Sequence, residues 1–338
     1  HSIGSARIDI RLAVASVQTD VQVSGDTDTD NGGATTNLDS KAVQGLADDP
    51  DDFLRQLQVL ATEAGGDPNQ SVIMVDGFQN PSALPPKSSI ASIQINPDLF
   101  SAKYRTPSFF GGVIELTTKP GAGAFHGAVF FTDSDGIFNA TDPFSVTATP
   151  AGRQRYGFEL SGPILSKKSS FALALEKRDI DEFNVVNAVT LDANNGLGPD
   201  GNGVPSQQTV SAPQRLWIAS GRGDWQVTPS NVASLSFSAN VNNEGNQGIG
   251  GLTLADAGYS SLVSEYDLRF HNTQTLSPNI LHETHIGYSW KRTEQMPLSD
   301  TSSVQVSGYF LGGGAISQSL NDREGDLEVD EDMTVVHG

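Results

Sequence analysis

The chain has no cysteine, which removes disulfide frameworks, thiolate metal centres and cysteine nucleophiles together. It is also poor in positive charge: 20 Lys and Arg stand against 40 Asp and Glu, a formal charge of −20. Phosphate backbones are gripped by basic footprints, so nucleic acid is excluded as a partner. No stretch approaches the roughly 18 to 20 consecutive apolar residues that a membrane helix needs. The opening HSIGSARIDIRL also lacks the apolar core of a signal peptide. A membrane β-barrel escapes these exclusions, because its strands alternate and slip through hydropathy windows.

What is present favours strands. Only 37% of the 338 residues are apolar, and 35 are Gly, in a background of Ser, Thr, Asn and Asp; few helices are expected. Residues 1–25 alternate at Ile8, Ile10 and Leu12 and again at Val21 and Val23, as at the end of a small β-module. DTDTDNGGATTN then reads as a solvated linker, assigned to residues 26–35. Its Asp26, Asp28 and Asp30 have the spacing of calcium ligands, but Asn31 and Asn37 stand where an EF-hand loop needs Gly and Glu.

LADDPDDFLRQLQVLATEAGG carries the best helical pattern: Asp49 as cap, Pro50 at the first position, and Phe53, Leu54, Leu57, Leu60 and Ala61 on one face. VIMVDGF fits a strand buried on both faces that ends in a turn at Asp76 and Gly77. PPKSSIASIQIN predicts a helical turn capped by Ser88, then a strand carrying Ile93 and Ile95. With Gly111 and Gly112 allowing close backbone approach before the strand VIELTTK, this gives a compact α/β unit of about four short elements up to Lys119 and Pro120.

Beyond Gly121 seven alternating stretches recur: GAFHGAVFFTDS, RQRYGFELSGPIL, SFALALEKRDI, RLWIASGRGDWQV, NVASLSFSANVN, SEYDLRFHNTQT and NILHETHIGYSW. MTVVHG begins another. Residues 233, 235, 237, 239 and 241 are apolar, and Ser or Asn separates them. The apolar face could meet a second sheet or lipid, which periodicity cannot separate. Aromatics near strand ends (Phe130, Phe131, Trp217, Trp225, Tyr288, Trp290) favour the barrel. So does the alternation of tight turns with long loops at 182–212 and 242–261.

The run VDGF, IASIQI, FSAKY and GGVIELTTKPG, followed by FHGAVFF, NATDPF, LSGPI and FALALEKRDID, resembles TonB-dependent outer-membrane receptors that carry a carboxypeptidase-regulatory-like domain before the plug. The resemblance implies a plug at 36–120, a hinge at Pro120–Gly123, and the first strands and loops of a barrel at 121–338. Such a receptor has a barrel of about 22 antiparallel strands. It binds a nutrient such as an oligosaccharide, a peptide or a metal chelate, and admits it when the TonB energy-transducing complex rearranges the plug. Outer-membrane lipid would surround the wall. Seven strands cannot close a barrel, so the resemblance also implies an amino-terminal portion of a longer protein. TDVQVSG at 19–25 is similar to a TonB box, but reads more simply as the last strand of the regulatory-like module. The competing reading is a secreted β-rich surface protein for adhesion or for glycan or calcium binding.

No catalytic or cofactor site is expected. HETH at 282–285 alternates as a strand and sends His282 and His285 to opposite faces, unlike the helical zincin spacing. His126 is expected at the membrane interface, and Ser161 has no triad partners. The acidic run EGDLEVDED at 324–332 reads as a solvated rim or loop. Asp192 and Asp200 are calcium candidates in a loop. Lys103, Arg105 and Lys119 are candidates for plug-to-barrel salt bridges, with Glu176, Arg178 and Asp181 as partners.

Overall fold

The computed structural model describes residues 35–47, 50–62, 67–79, 83–96, 111–136, 151–164, 168–192, 196 and 202–336. The expected strands and linker before residue 35 lie outside the described residues, as do the Asp49 cap and FSAKY. Two sheets carry the fold.

The first is a five-stranded mixed sheet in the order β1-β4-β5-β2-β3. It contains β1 (Thr36–Asp39), β2 (Val72–Val75), β3 (Phe78–Gln79), β4 (Ile90–Asn96) and β5 (Val113–Thr118). Two helices pack against it, α1 (Ser40–Gln44) and α2 (Pro50–Ala61). This exceeds the four elements expected: β1 and α1 are only four and five residues long, too short for periodicity to register. Asp39 caps α1 by accepting from the N–H of Ala42 at 2.8 Å. Phe53, Leu57 and Ala61 of α2 bury onto Val75, Ile90, Ile93, Ile95, Ile114 and Leu116, the dry centre of this unit. Leu54 is half-buried.

Two local expectations change. VIMV is half-buried at 72–74, because its outer neighbour β3 is only two residues long and leaves it near the sheet edge. Ser88 lies inside the 3-10 turn Lys87–Ser89, whose cap position belongs to Pro86. Lys87 is buried and donates to the carbonyls of Gln44 and Leu46 at 3.1 and 2.8 Å, so a cation occupies the C-terminal end of α1.

The second sheet is an antiparallel meander of eight strands in the order β15-β12-β11-β10-β9-β8-β7-β6. Its strands are β6 (His126–Ser134), β7 (Gly152–Pro163), β8 (Ser169–Thr190), β9 (Val204–Thr228), β10 (Asn231–Gln247), β11 (Tyr259–Ser277), β12 (Ile280–Pro297) and β15 (Leu320–Val335). A small hairpin, β13 (Val304–Val306) and β14 (Phe310–Gly312), lies in the last long connection. Tight turns join β9 to β10 and β11 to β12 at one rim, and the longer connections lie at the other.

The outward face is greasy and uncovered: Val129, Phe131, Leu173, Trp217, Leu268, Tyr288 and Leu327 are exposed. No second sheet lies over it among the described residues. The opposite face carries Glu176, Arg178, Ser238, Asp267 and Arg269, all buried. This is the arrangement of a lipid-facing wall with a polar interior, and a water-solvated sandwich would reverse it. No helix among the described residues is long and apolar enough to cross a membrane.

The acidic run 324–332 is strand, not loop: it forms the middle of β15. Its outward positions Leu327, Val329, Met333 and Val335 alternate with Asp322, Glu324, Asp326, Glu328, Asp330 and Asp332, so the charges of one face hide the apolar rhythm of the other. The expected long loops also shrink, because β8 and β9 continue to Thr190 and back from Val204, and β10 continues to Gln247. At 22 and 25 residues, β8 and β9 are about twice the 9–11 that span a bilayer. Pro213 is tolerated in β9 because β10 pairs only from Gln214 onward. Above the wall, Val186 and Ala188 pack with Ile249 and Phe310 into a second small core.

Candidate functional site: the seam between plug and wall

The chemistry-bearing groups collect where the mixed sheet meets the inner face of the wall. Asp76 and Gly77 have φ of +50° and +86° and close a two-residue hairpin between β2 and β3. That turn places Phe78 and the Asp76 carboxylate against β9, β11 and β12.

Asp76 is held on both sides. It accepts from the N–H and the hydroxyl of Thr118 at 2.8 and 2.7 Å. Arg222 of the wall lies 3.5 Å from the same oxygen that accepts from the Thr118 N–H, and donates to the Thr118 hydroxyl oxygen at 3.0 Å. Arg222 also pairs with Asp224 at 2.9 Å, and Asp224 accepts from the hinge N–H of Gly121 at 3.3 Å. Arginine-to-carboxylate hydrogen bonds of this kind are among the stronger polar contacts.

A second anchor lies two strands away. Asp267 is fully buried, accepts from the backbone N–H of Ala83 at 2.7 Å and from the Ser289 hydroxyl, and forms an ion pair with Arg269 at 3.1 Å. Arg269 lies over the Phe78 ring at 5.9 Å, and His285 meets that ring edge-on at 5.5 Å. Gly287 makes the fit possible, since a Cβ there would come within 2.7 Å of Phe78. A cavity of about 290 Å³ remains beside this seam, bordered by Glu115, Thr117, Arg222, Ser234 and His271.

The anticipated residues fall in several places. Glu176 pairs with Arg155 and Arg178 at 2.7 and 2.5 Å, all three on the wall. Asp181 faces outward and pairs with Arg215 at 2.8 Å, because odd positions of β8 point away from the interior. Neither Glu176 nor Asp181 meets a plug cation among the described residues; plug and wall are joined by other groups. Lys119 reaches Glu159 at 3.8 Å. Lys103, Arg105, Asp26, Asp28, Asp30 and Asp200 lie outside the described residues. Asp192 accepts from the N–H of Gly196 at 2.9 Å as a local loop bond.

Gly111 passes so close to Gln70 and Ser71 that a Cβ would sit 2.3 Å from their backbone, and Gly112 has φ of +70°. Pro120 lies in the short connection between β5 and β6, and His126 stands opposite Ser161. HETH is strand: His282 meets Glu331 at 2.7 Å on one face while His285 faces the plug on the other. Sequence reading missed Arg222, Asp224, Asp267 and Arg269. Their signal was parity: Arg222 and Asp224 alternate with the outward Trp217 and Trp225 of β9, and Asp267 and Arg269 with the outward Leu268 and Phe270 of β11, so the charges take the face turned away from lipid.

No protein-family model matches the sequence, and no curated protein matches it. Solved structures do. The siderophore receptor PirA from Acinetobacter baumannii superposes with a TM-score of 0.59 at 16% identity, covering 88% of this chain and 44% of the receptor. The outer-membrane transporter YddB from Escherichia coli gives 0.60 at 12% identity over 88% of this chain and 45% of the transporter. A ferric enterobactin receptor from Pseudomonas aeruginosa gives 0.55 at 13% identity, over 87% and 45%. The chain thus spans under half the length of these proteins. A small α/β unit seated on the inner face of an antiparallel wall with an apolar outer surface is the TonB-dependent receptor fold, and the described residues hold that unit and eight strands of such a wall.

Proposed function

We propose that the chain is the plug-bearing part of a TonB-dependent outer-membrane receptor, which takes up a nutrient through the barrel when the plug is rearranged. The observation that carries this reading is the chemistry of the seam. The plug has its own apolar core, yet it meets the wall through Asp76, Thr118, Arg222, Asp267 and Ala83. A polar seam can be broken and remade without exposing a dry core, which a gate requires. The work is binding and gating, with no bond chemistry. The location is the bacterial outer membrane, and the partners are the TonB complex, the nutrient and lipid.

The greasy outer face favours this over a secreted adhesin, which would expose those side chains to water. Among nutrients, a ferric chelate is the first choice because two of the structural neighbours are named as receptors for such ligands; oligosaccharides and peptides follow. The test is uptake of labelled ferric chelates, oligosaccharides and oligopeptides by cells that carry the full protein, with and without TonB. One class should accumulate only when TonB is present. Accumulation of none, or equal accumulation without TonB, overturns the proposal.

A further inference from the structure

The wall holds a cluster that gated uptake does not use. The register of β11 and β12 sets His271 directly opposite His285, and Glu283 opposite Thr273, one step along the same inner face. Both rings and the carboxylate are half-buried, and each offers one ligand atom, all within 4.8 Å of one another. The imidazoles are stacked at 4.1 Å with 17° between their planes. The Glu283 carboxylate lies 3.6 Å from Nε2 of His271, which is also 3.2 Å from the Thr273 hydroxyl.

Two imidazoles and one carboxylate are the donor set of three-ligand zinc sites that keep a fourth position for water. We propose that His271, Glu283 and His285 bind a divalent first-row transition metal of the zinc class at the seam between plug and wall. Zinc bonds of about 2.0–2.1 Å in a tetrahedron place donor atoms about 3.4 Å apart, so the cluster must contract modestly, by tilting the stacked rings apart. Backbone pairing already fixes His271 and His285 side by side, so only side-chain torsions need change. The adjoining cavity of about 290 Å³, bordered by His271 and His285, gives the ion a way in and room for its water. Nitrogen and carboxylate donors without thiolate suit zinc, nickel, cobalt or copper and disfavour calcium and magnesium.

The position gives the ion a consequence. His285 touches Phe78, and a Cβ on Gly77 would lie 3.3 Å from its ring. A metal that fixes the His285 ring therefore fixes the surface on which the plug hairpin rests. Occupancy would hold the plug more firmly to the wall.

The full protein, purified in detergent with any affinity tag removed and stripped with chelator, is titrated calorimetrically with Zn²⁺. About one ion per chain should bind. His271→Ala, His285→Ala and Glu283→Gln should each weaken binding by about tenfold or more, whereas His282→Ala, on the opposite face of β12, should leave it unchanged. Zinc should also slow proteolysis at the β2–β3 hairpin in the parent protein and not in Glu283→Gln, which keeps the side-chain shape. No binding by the parent protein, or equal binding by the His271→Ala/His285→Ala double variant, overturns the proposal. None of these readouts depends on transport, so the result is independent of the uptake experiment.

Discussion

The two sheets use the same two-residue rhythm for opposite ends. In the plug, Ile93, Ile95, Ile114 and Leu116 turn inward to α2 and lose their contact with solvent entirely. In the wall, Leu173, Leu235, Leu268 and Leu327 turn outward and stay uncovered, while Glu176, Asp267 and Arg269 are sealed inside. The plug is thus organised by the hydrophobic effect in water, and the wall by a solvent that is itself apolar. Alternation specifies a strand and its two faces; the environment decides which face is the interior.

That contrast can be broken by substitution. The largest effect is expected at Asp267→Ala, which leaves Arg269 buried without its carboxylate and removes the acceptor for Ala83. Losing one partner of a buried pair costs about 3–5 kcal/mol, and chemical denaturation in detergent should report it together with faster proteolysis of the plug. Leu116→Ala should cost about 2–5 kcal/mol through the cavity it leaves in the plug core. Its loss should show in plug proteolysis while the wall keeps its heat-resistant mobility on gels.

Leu268→Lys, in the middle of β11, sharpens the comparison from the other side. A lysine facing lipid near the bilayer midplane costs about 2–4 kcal/mol, so folding into lipid vesicles should weaken by that amount. The same substitution on a soluble sandwich surface would be nearly silent. The smallest effect is expected at Arg153→Ala: its 2.6 Å pair with Glu182 has both side chains more than half exposed, and such pairs contribute under about 1 kcal/mol. A denaturation midpoint indistinguishable from the parent's is the expected result.

Much of this was legible in sequence, and the failures have physical causes. The helix around Phe53 and Leu57, the turn at Asp76 and Gly77, the close approach at Gly111 and seven of the eight wall strands all announce themselves through period or turn chemistry. Of β15 only its end did, as MTVVHG, which the sequence marks as a strand's beginning; its longer part is hidden because six carboxylates at even positions overwhelm the apolar odd ones in any averaged reading. The ends of β8, β9 and β10 read as loops because Asn, Gln, Ser and Pro interrupt their alternation, and the apolar residues that they carry, such as Val186 and Ala188, pack into a local core that no long period announces. The seam was the least visible part. Residues such as His271 and His285 are 14 positions apart, and only the register of a hairpin makes them neighbours. Glu176 was read as a partner for the plug because charge is apparent in sequence, whereas the arginines already beside it on the wall are not.

The missing side chain at Gly287 has one more implication. Phe78 fits there because that position is bare, while the neighbouring inward positions on β12 carry His285 and Ser289. Equivalent positions along a strand recur about every 7 Å, so a small slide of the plug would drive the ring into a filled site before reaching any comparable notch. Insertion depth is therefore indexed like a key in a single ward, and departure from it must begin with the ring lifting clear instead of creeping along the wall.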